Sequence, residues 1–132
     1  MKDTIFSRII DGSVPAAKLY EDNLTLAFLD INPLTEGHAL VIPKESIDHL
    51  DDCSPILYSA IFDTVHKLSK HLRKELKPKR VAIVVHGLDV PHAHVHVVPL
   101  YTGHEIKLAD RGTTLVGMDE LKMVAKKIGK IS

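Results

Sequence analysis

The sequence predicts an α+β fold in which an antiparallel sheet is covered by one long helix. Five short runs of β-branched and apolar residues, bounded by turn residues, are typical of strands. One segment between Ser54 and Pro78 instead repeats its apolar residues at helical spacing. Together these observations predict a five-stranded antiparallel sheet, one long helix and short helices near both ends of the chain.

Composition limits the class of protein. The 132 residues suffice for one domain with its own core, and we expect a single domain over residues 1–132. The 17 basic and 17 acidic side chains balance, so no overall field would recruit nucleic acid or an anionic membrane. Cys53 is the only cysteine, and no run of about 18 apolar residues could span a bilayer. We expect a cytoplasmic protein with neither nucleic-acid nor membrane partners.

The amino-terminal part is predicted to form a short helix followed by three strands. Residues 4–11 place apolar side chains four apart, Asp3 or Thr4 can cap them, and Gly12 can end the helix. Strands are expected at residues 17–21, 24–30 and 38–42, with Pro43 ending the third.

The long helix is expected to begin at Ser54-Pro55, where a capping hydroxyl precedes proline in the first turn. A fourth strand is predicted at residues 80–86, and a short carboxy-terminal helix follows from the apolar spacing between Leu121 and Ile128. The buried face of the long helix is marked by Leu57, Ile61, Val65, Leu68, Leu72 and Leu76. The histidines in or near this helix are expected to face solvent: His49, His66 and His71.

The fifth strand carries three histidines at a spacing of two, within residues 92–98. On a strand, His92, His94 and His96 would share one face, while the alternate residues Ala93, Val95 and Val97 would pack into the core. A neutral imidazole has one nitrogen that can attack or accept and one that can donate. Three such groups at one place suit metal ligation, or attack on an anionic centre such as phosphate.

The motif His-Ala-His-Val-His-Val-Val resembles the signature of the histidine triad (HIT) superfamily of nucleotide hydrolases and transferases. Five further blocks resemble its Hint branch in the same order: Asp3 to Ile10, Val14 to Ala16, Tyr20 to Asp22, Leu26 to Pro33, and Gly37 to Lys44. The resemblance covers about residues 3–100 and leaves 101–132 as a variable tail. It implies a HIT-like fold, a purine nucleotide substrate such as an AMP derivative, and a homodimer.

The resemblance also implies roles for four histidines. His94 matches the family nucleophile, which attacks the α-phosphorus of a nucleotide and forms a covalent adduct. A backbone carbonyl near His92 is expected to hold one nitrogen of the His94 ring as N–H. His92 and His96 are expected to flank His94 and to donate to phosphate oxygens or to the leaving group, and His38 is expected to adjoin the triad.

A nucleotide pocket is implied by the same blocks. Asp30 ends a strand where the family binds the ribose diol, and a turn-capping role is the alternative. Asp89 stands where relatives offer a hydroxyl to the phosphate, and His86 stands where they often carry Asn. The apolar base pocket is expected to consist of Ile5, Phe6, Ile9, Phe28 and Ile31, although such residues can equally form only core.

Two departures from the family affect the predicted chemistry. Relatives that bind zinc carry two cysteines and a histidine where this chain has Thr4, Ser7 and Ser46. Because hydroxyls are poor zinc ligands, we expect no metal and no other cofactor. Asp89 would repel phosphate unless it is protonated, turned away or bridged by a cation, which leaves the leaving group open.

The sequence therefore favours an enzyme that cleaves purine nucleoside phosphoramidates or related adenylates through His94. Three alternatives remain: hydrolysis of dinucleoside polyphosphates, a metal site built from the three histidines, and a regulatory module that only binds a nucleotide.

Overall fold

A five-stranded antiparallel sheet organises the chain, which the computed structural model describes over residues 3–106 and 115–131. The strands are β1 (Lys18–Glu21), β2 (Thr25–Leu29), β3 (Ala39–Pro43), β4 (Arg80–Val84) and β5 (Val95–Leu100). They lie in the order β1-β2-β3-β5-β4, and each neighbouring pair is antiparallel. The predicted α+β class and five-stranded sheet are confirmed. Of the predicted tail, residues 107–114 and 132 lie outside the described residues.

Successive side chains of a strand point to opposite faces of the sheet, so the apolar residues form two cores, one on each face. On one face, Val95 and Val97 of β5 belong to the same core cluster as Ile61 and Leu68 of the long helix. On the other face, Phe28 of β2 packs in a second cluster that includes residues of the short amino-terminal helix. The predicted inward orientation of Val95 and Val97 is therefore confirmed.

Three helices accompany the sheet: α1 (Ile5–Ile10), α2 (Pro55–Leu76) and α3 (Met118–Ile128). The Ser54 hydroxyl accepts a hydrogen bond from the Leu57 amide at 3.2 Å and caps the start of α2, and Lys77, in the left-handed region, follows its last residue. A 3-10 turn, Leu50–Asp52, precedes α2 and was not expected from the sequence. None of the described helices combines the length and the apolar character that crossing a bilayer requires.

The hydroxyls of Thr4 and Ser7 hold the first turn of α1 together. The Ser7 amide donates to the Thr4 hydroxyl at 3.1 Å, and the Thr4 amide donates to the Ser7 hydroxyl at 2.8 Å. This reciprocal capping box satisfies amides that a helix of six residues would otherwise leave without partners. Both residues are buried, and the packing of Phe6 and Ile9 with residues of β2 and β3 holds α1 against the sheet.

The carboxy-terminal helix α3 is fixed to α2 and to the loop after β2. His71 of α2 donates from Nε2 to the carbonyl oxygens of Ile128 and Gly129, at 2.8 and 2.9 Å. Lys127 forms an ion pair with Glu36 at 3.0 Å. The expectation that His71 faces solvent was wrong, because the pattern of α2 alone does not reveal that α3 covers this flank.

The triad does not lie entirely on a strand, which corrects the sequence prediction. β5 begins at Val95, so that His92 and His94 precede it and only His96 belongs to the ladder. The Ala93 amide donates to the Ile47 carbonyl at 2.6 Å instead of to a neighbouring strand. This contact ties the segment before β5 to the loop after β3, while the rings of His94 and His96 remain in edge-on contact, with centroids 5.1 Å apart.

Candidate active site

His94 is oriented by the backbone of its own segment. Its Nδ1 lies 2.7 Å from the carbonyl oxygen of His92, and a carbonyl can only accept a hydrogen bond. Nδ1 therefore carries the proton, and Nε2 keeps the lone pair. The ring is 2% exposed and packs edge-on against Phe6, with centroids 5.2 Å apart. The expected carbonyl contact is present, and Phe6 further restricts the orientation of the ring.

His38 and His96 form a hydrogen-bonded pair whose direction is set by a backbone amide. The Leu34 amide donates to Nδ1 of His38 at 2.9 Å, so this nitrogen must hold a lone pair. Nε2 of the neutral His38 ring then carries the proton and lies 2.9 Å from Nδ1 of His96. Since Nδ1 of His96 accepts, its Nε2 carries N–H. One amide thus determines the tautomers of two buried histidines.

His92 differs from the role that the resemblance implied for its ring. The side chain is completely buried, and Nε2 lies 2.8 Å from the Pro43 carbonyl, to which it donates. Burial lowers the pKa of His92 below its ordinary value, while the Pro43 carbonyl opposes this shift. Nδ1 has no hydrogen-bond partner among the residues that the structure describes. His92 therefore touches the site through its carbonyl oxygen, and its ring anchors the segment to the end of β3.

A mostly apolar cavity of about 380 Å³ opens beside His94 and His96, and both side chains line it. Such a volume lies within the range typical of small-molecule sites. His92 and His38 are not among the lining residues. All seven residues that the sequence assigned to nucleotide binding line the cavity: Ile5, Phe6, Ile9, Phe28, Asp30, Ile31 and Asp89. Their role in binding stays a prediction.

Asp30 makes the turn-capping contact that was the alternative to ribose binding, and it also faces the cavity. Its Oδ1 accepts the Asn32 amide at 2.8 Å, which caps the turn. Its Oδ2 lies 3.6 Å from Nε2 of His38. Asp30 is 7% exposed as a residue and lines the cavity, so capping the turn does not remove it from the site.

The loop between β4 and β5 brings Asp89 and Val90 to the cavity. His86, at the end of the predicted fourth strand, lies beyond β4 and is not among the lining residues. Its Nδ1 is buried and has no hydrogen-bond partner within the described ranges.

Sequence reasoning missed part of the cavity wall. Leu115 and Met118, from the segment treated as a variable tail, line the same cavity as His94. No local signal marks these two residues, since their apolar side chains are equally typical of any helix start. The loop after α1 also contributes lining residues that were not assigned: Val14, Pro15 and Ala16.

One group in the described part of the chain has metal-ligand spacing. Ligand atoms of Asp30, His38 and His96 lie within 4.8 Å of one another, and all three residues are buried. The Leu34 amide opposes ligation by His38, because it keeps the proton on Nε2, the atom that faces the other two residues. The sequence alternative, in which the three triad histidines bind one metal, is also disfavoured, since only His96 of the triad belongs to this group.

Comparison with known proteins identifies the family to which the chain is similar. The profile of the HIT domain matches residues 11–103. Adenosine 5'-monophosphoramidase hnt1 of Schizosaccharomyces pombe is 38% identical over 97 residues, which cover 72% of this chain and 72% of that protein. Adenylylsulfatase HINT3 of Arabidopsis thaliana is 34% identical over 102 residues, which cover 74% of this chain and 52% of that protein.

The fold is likewise similar to a solved structure. A Hit-like protein from Bartonella henselae, described as involved in cell-cycle regulation, superimposes with a TM-score of 0.85 at 29% identity. The match covers 94% of this chain and 92% of that chain. The match of the domain profile to most of the chain, the two named relatives and the shared fold lead to one conclusion. This chain belongs to the HIT family of nucleotide hydrolases and transferases.

Proposed function

We propose that this protein cleaves purine nucleoside phosphoramidates or related adenylates through a covalent nucleotidyl-histidine at His94. The observation that carries the proposal is the 2.7 Å contact between Nδ1 of His94 and the His92 carbonyl. This contact leaves the lone pair on Nε2 of His94, whose side chain lines the cavity. A neutral nucleophile suits attack on an anionic phosphorus, since it adds no charge repulsion.

The reaction proceeds in two displacements. In the first, Nε2 of His94 attacks the α-phosphorus, an N–P bond forms, and the bond to the leaving nitrogen or oxygen breaks. The leaving group keeps that electron pair and takes a proton from solvent. In the second, water attacks the phosphorus and loses a proton, and the electron pair of the N–P bond returns to Nε2. A different acceptor in place of water would make the protein a transferase.

His96 supports both displacements as a hydrogen-bond donor. Its Nε2–H, set by His38, can donate to a phosphoryl oxygen as negative charge develops there. Donors placed in this way typically contribute about 10²–10³-fold in rate. The pair is suited to donation rather than net proton transfer, because the Leu34 amide prevents His38 from taking up a second proton at Nδ1.

The apolar and the polar residues of the cavity suit different parts of the substrate. The base is expected among the apolar residues, and the ribose diol can donate to the Asp30 carboxylate. The names of the two relatives, an adenosine 5'-monophosphoramidase and an adenylylsulfatase, support an AMP derivative as substrate. Dinucleoside polyphosphates remain the second candidate, but the Asp89 carboxylate at the cavity disfavours additional phosphate groups.

The test is detection of the covalent intermediate. The protein is mixed with adenosine 5'-phosphoramidate and quenched in alkaline denaturant, since bonds between phosphorus and histidine nitrogen are labile in acid. Mass spectrometry of the digest is expected to find an adenylyl group on the peptide that contains residues 92–96. Turnover without any adduct on this peptide would contradict the proposal.

Two variants and one chelation experiment make the test specific. His94→Ala is expected to lose the adduct and nearly all turnover but still bind AMP, whereas His104→Ala, at an exposed position, should behave as wild type. If turnover is instead lost on removal of a stoichiometric metal, the metal alternative is correct. If the protein binds AMP and never turns over the phosphoramidate, it is a binding module.

A further inference from the structure

The start of the carboxy-terminal helix is hydrogen-bonded to the rim of the cavity. The Val116 amide donates to the Ile31 carbonyl at 2.8 Å, and the Ile31 side chain lines the cavity. On either side of Val116, Leu115 and Met118 line the same cavity. Residues 115–118 therefore form a wall that the backbone joins directly to the loop following Asp30.

This wall is held in place by contacts along α3. Val116 and Met118 pack against the core beneath α2. At the far end of α3, His71 binds the last carbonyls, and Lys127 pairs with Glu36. A wall held by these contacts costs less to order when a ligand binds.

We propose that Leu115 and Met118 form one side of the nucleobase site and determine how tightly the base is held. The inference rests on the proposed nucleotide substrate and adds the carboxy-terminal segment to its binding site. Both side chains are apolar, so they offer contact area to the flat face of a base and no hydrogen bond to its edge. The wall therefore distinguishes bases by their size. Purines are preferred over pyrimidines, and adenine and guanine differ little.

The experiment compares ligands that share the sugar and phosphate but differ in the base. Calorimetry measures the affinity of wild type, Leu115→Ala and Met118→Ala for AMP, GMP and ribose 5-phosphate. Each substitution is expected to weaken the binding of AMP and GMP by about three- to tenfold, because apolar contact area is lost. Ribose 5-phosphate, which lacks a base, should bind all three proteins equally. With the phosphoramidate, KM should rise while kcat stays within about twofold.

Two features keep the result interpretable. Met123→Ala removes a methionine from the same helix at a position that is 72% exposed and away from the cavity, and it should leave every affinity unchanged. Leu115 is 62% exposed, so its truncation does not threaten folding, whereas Met118 also touches the core and its variant needs a melting curve.

The outcomes separate this inference from the proposed function. If wild type binds neither AMP nor GMP, the nucleotide substrate itself is wrong. If wild type binds AMP and Leu115→Ala binds it equally well, the wall has no part in base binding. An equal loss of affinity for AMP and for ribose 5-phosphate would show a general distortion of the cavity and would also overturn the inference.

Discussion

The buried histidines of this site differ in what each ring nitrogen can do. Nδ1 of His94 is tied to a carbonyl, and Nδ1 of His38 is tied to an amide, so the two rings hold opposite tautomers. In the proposed reaction, His94 therefore attacks, and His96, through its contact with His38, donates. His92 donates to Pro43 and contributes its carbonyl. Similar side chains thus acquire different chemistry from single backbone partners.

His38 should behave as a positioning residue rather than one that touches substrate. We expect His38→Ala to lower kcat by about 10- to 100-fold, less than removal of a direct donor, because His96 remains but its tautomer is no longer set. His38→Gln should restore much of the loss, since a side-chain amide can accept from Leu34 and donate to His96. Steady-state kinetics with the phosphoramidate measures both.

The matched control is His66→Ala, an exposed histidine on α2, which should leave kcat unchanged. Equal losses in the Ala and Gln variants, or a change confined to KM, would show that His38 does not act through the tautomer of His96.

The loop between β2 and β3 positions His38 through its close contact with two other elements. Gly37 has φ +90°, and a Cβ at this position would overlap the side chain of Leu76 at the end of α2. It would also lie 3.2 Å from Pro99 of β5. A Cβ here would therefore have to displace the Leu76 side chain, and the positive φ adds backbone strain next to His38.

Gly37→Ala should accordingly destabilise the fold and impair the site. We expect a loss of about 1 kcal/mol from the strained backbone and a further ~2 kcal/mol from the overlap. Gly12→Ala is the matched control, because Gly12 has φ +87° but no atom within 4 Å of the added Cβ. Chemical denaturation measures both variants. Equal destabilisation of the two would mean that close packing at Gly37 contributes nothing.

Across the molecule as a whole, the outer edge of the sheet carries exposed apolar residues. β4 is an edge strand, and Ile83 is 42% exposed on it. Val85, just beyond the strand, is 50% exposed. An apolar sheet edge of this kind is a surface for pairing with a second copy.

The homodimer implied by the family resemblance remains a prediction, and β4 is where we expect it to form. Light scattering after gel filtration should show a dimer for wild type and a monomer for Ile83→Lys, because a buried, unpaired ammonium opposes association. Met123→Lys, a change at an exposed position on α3, should leave the dimer intact. A monomeric wild type, or a dimeric Ile83→Lys, would rule out this interface.

Local patterns in the sequence were sufficient to predict the architecture and much of the cavity. Alternating and four-residue apolar periods are properties of short segments, and they predicted the five strands and α2 because each element buries its own face. The family blocks predicted Ile5, Phe6 and Phe28, all of which line the cavity. The predicted end of β4 and the predicted start of β5 both lie too far toward the loop that joins the two strands. A strand ends where its backbone hydrogen-bond partners end, and the apolar periodicity of a sequence does not show that position.

Contacts between distant segments, which no local pattern contains, set how the histidines are used and what closes the cavity. The pairing of His38 with His96 joins residues 58 apart in the chain, and its direction depends on the amide of Leu34. The burial of the His92 ring and the placement of Leu115 depend likewise on such contacts. A proton's position on an imidazole is set by the atom facing it in space, and only the folded chain specifies that atom.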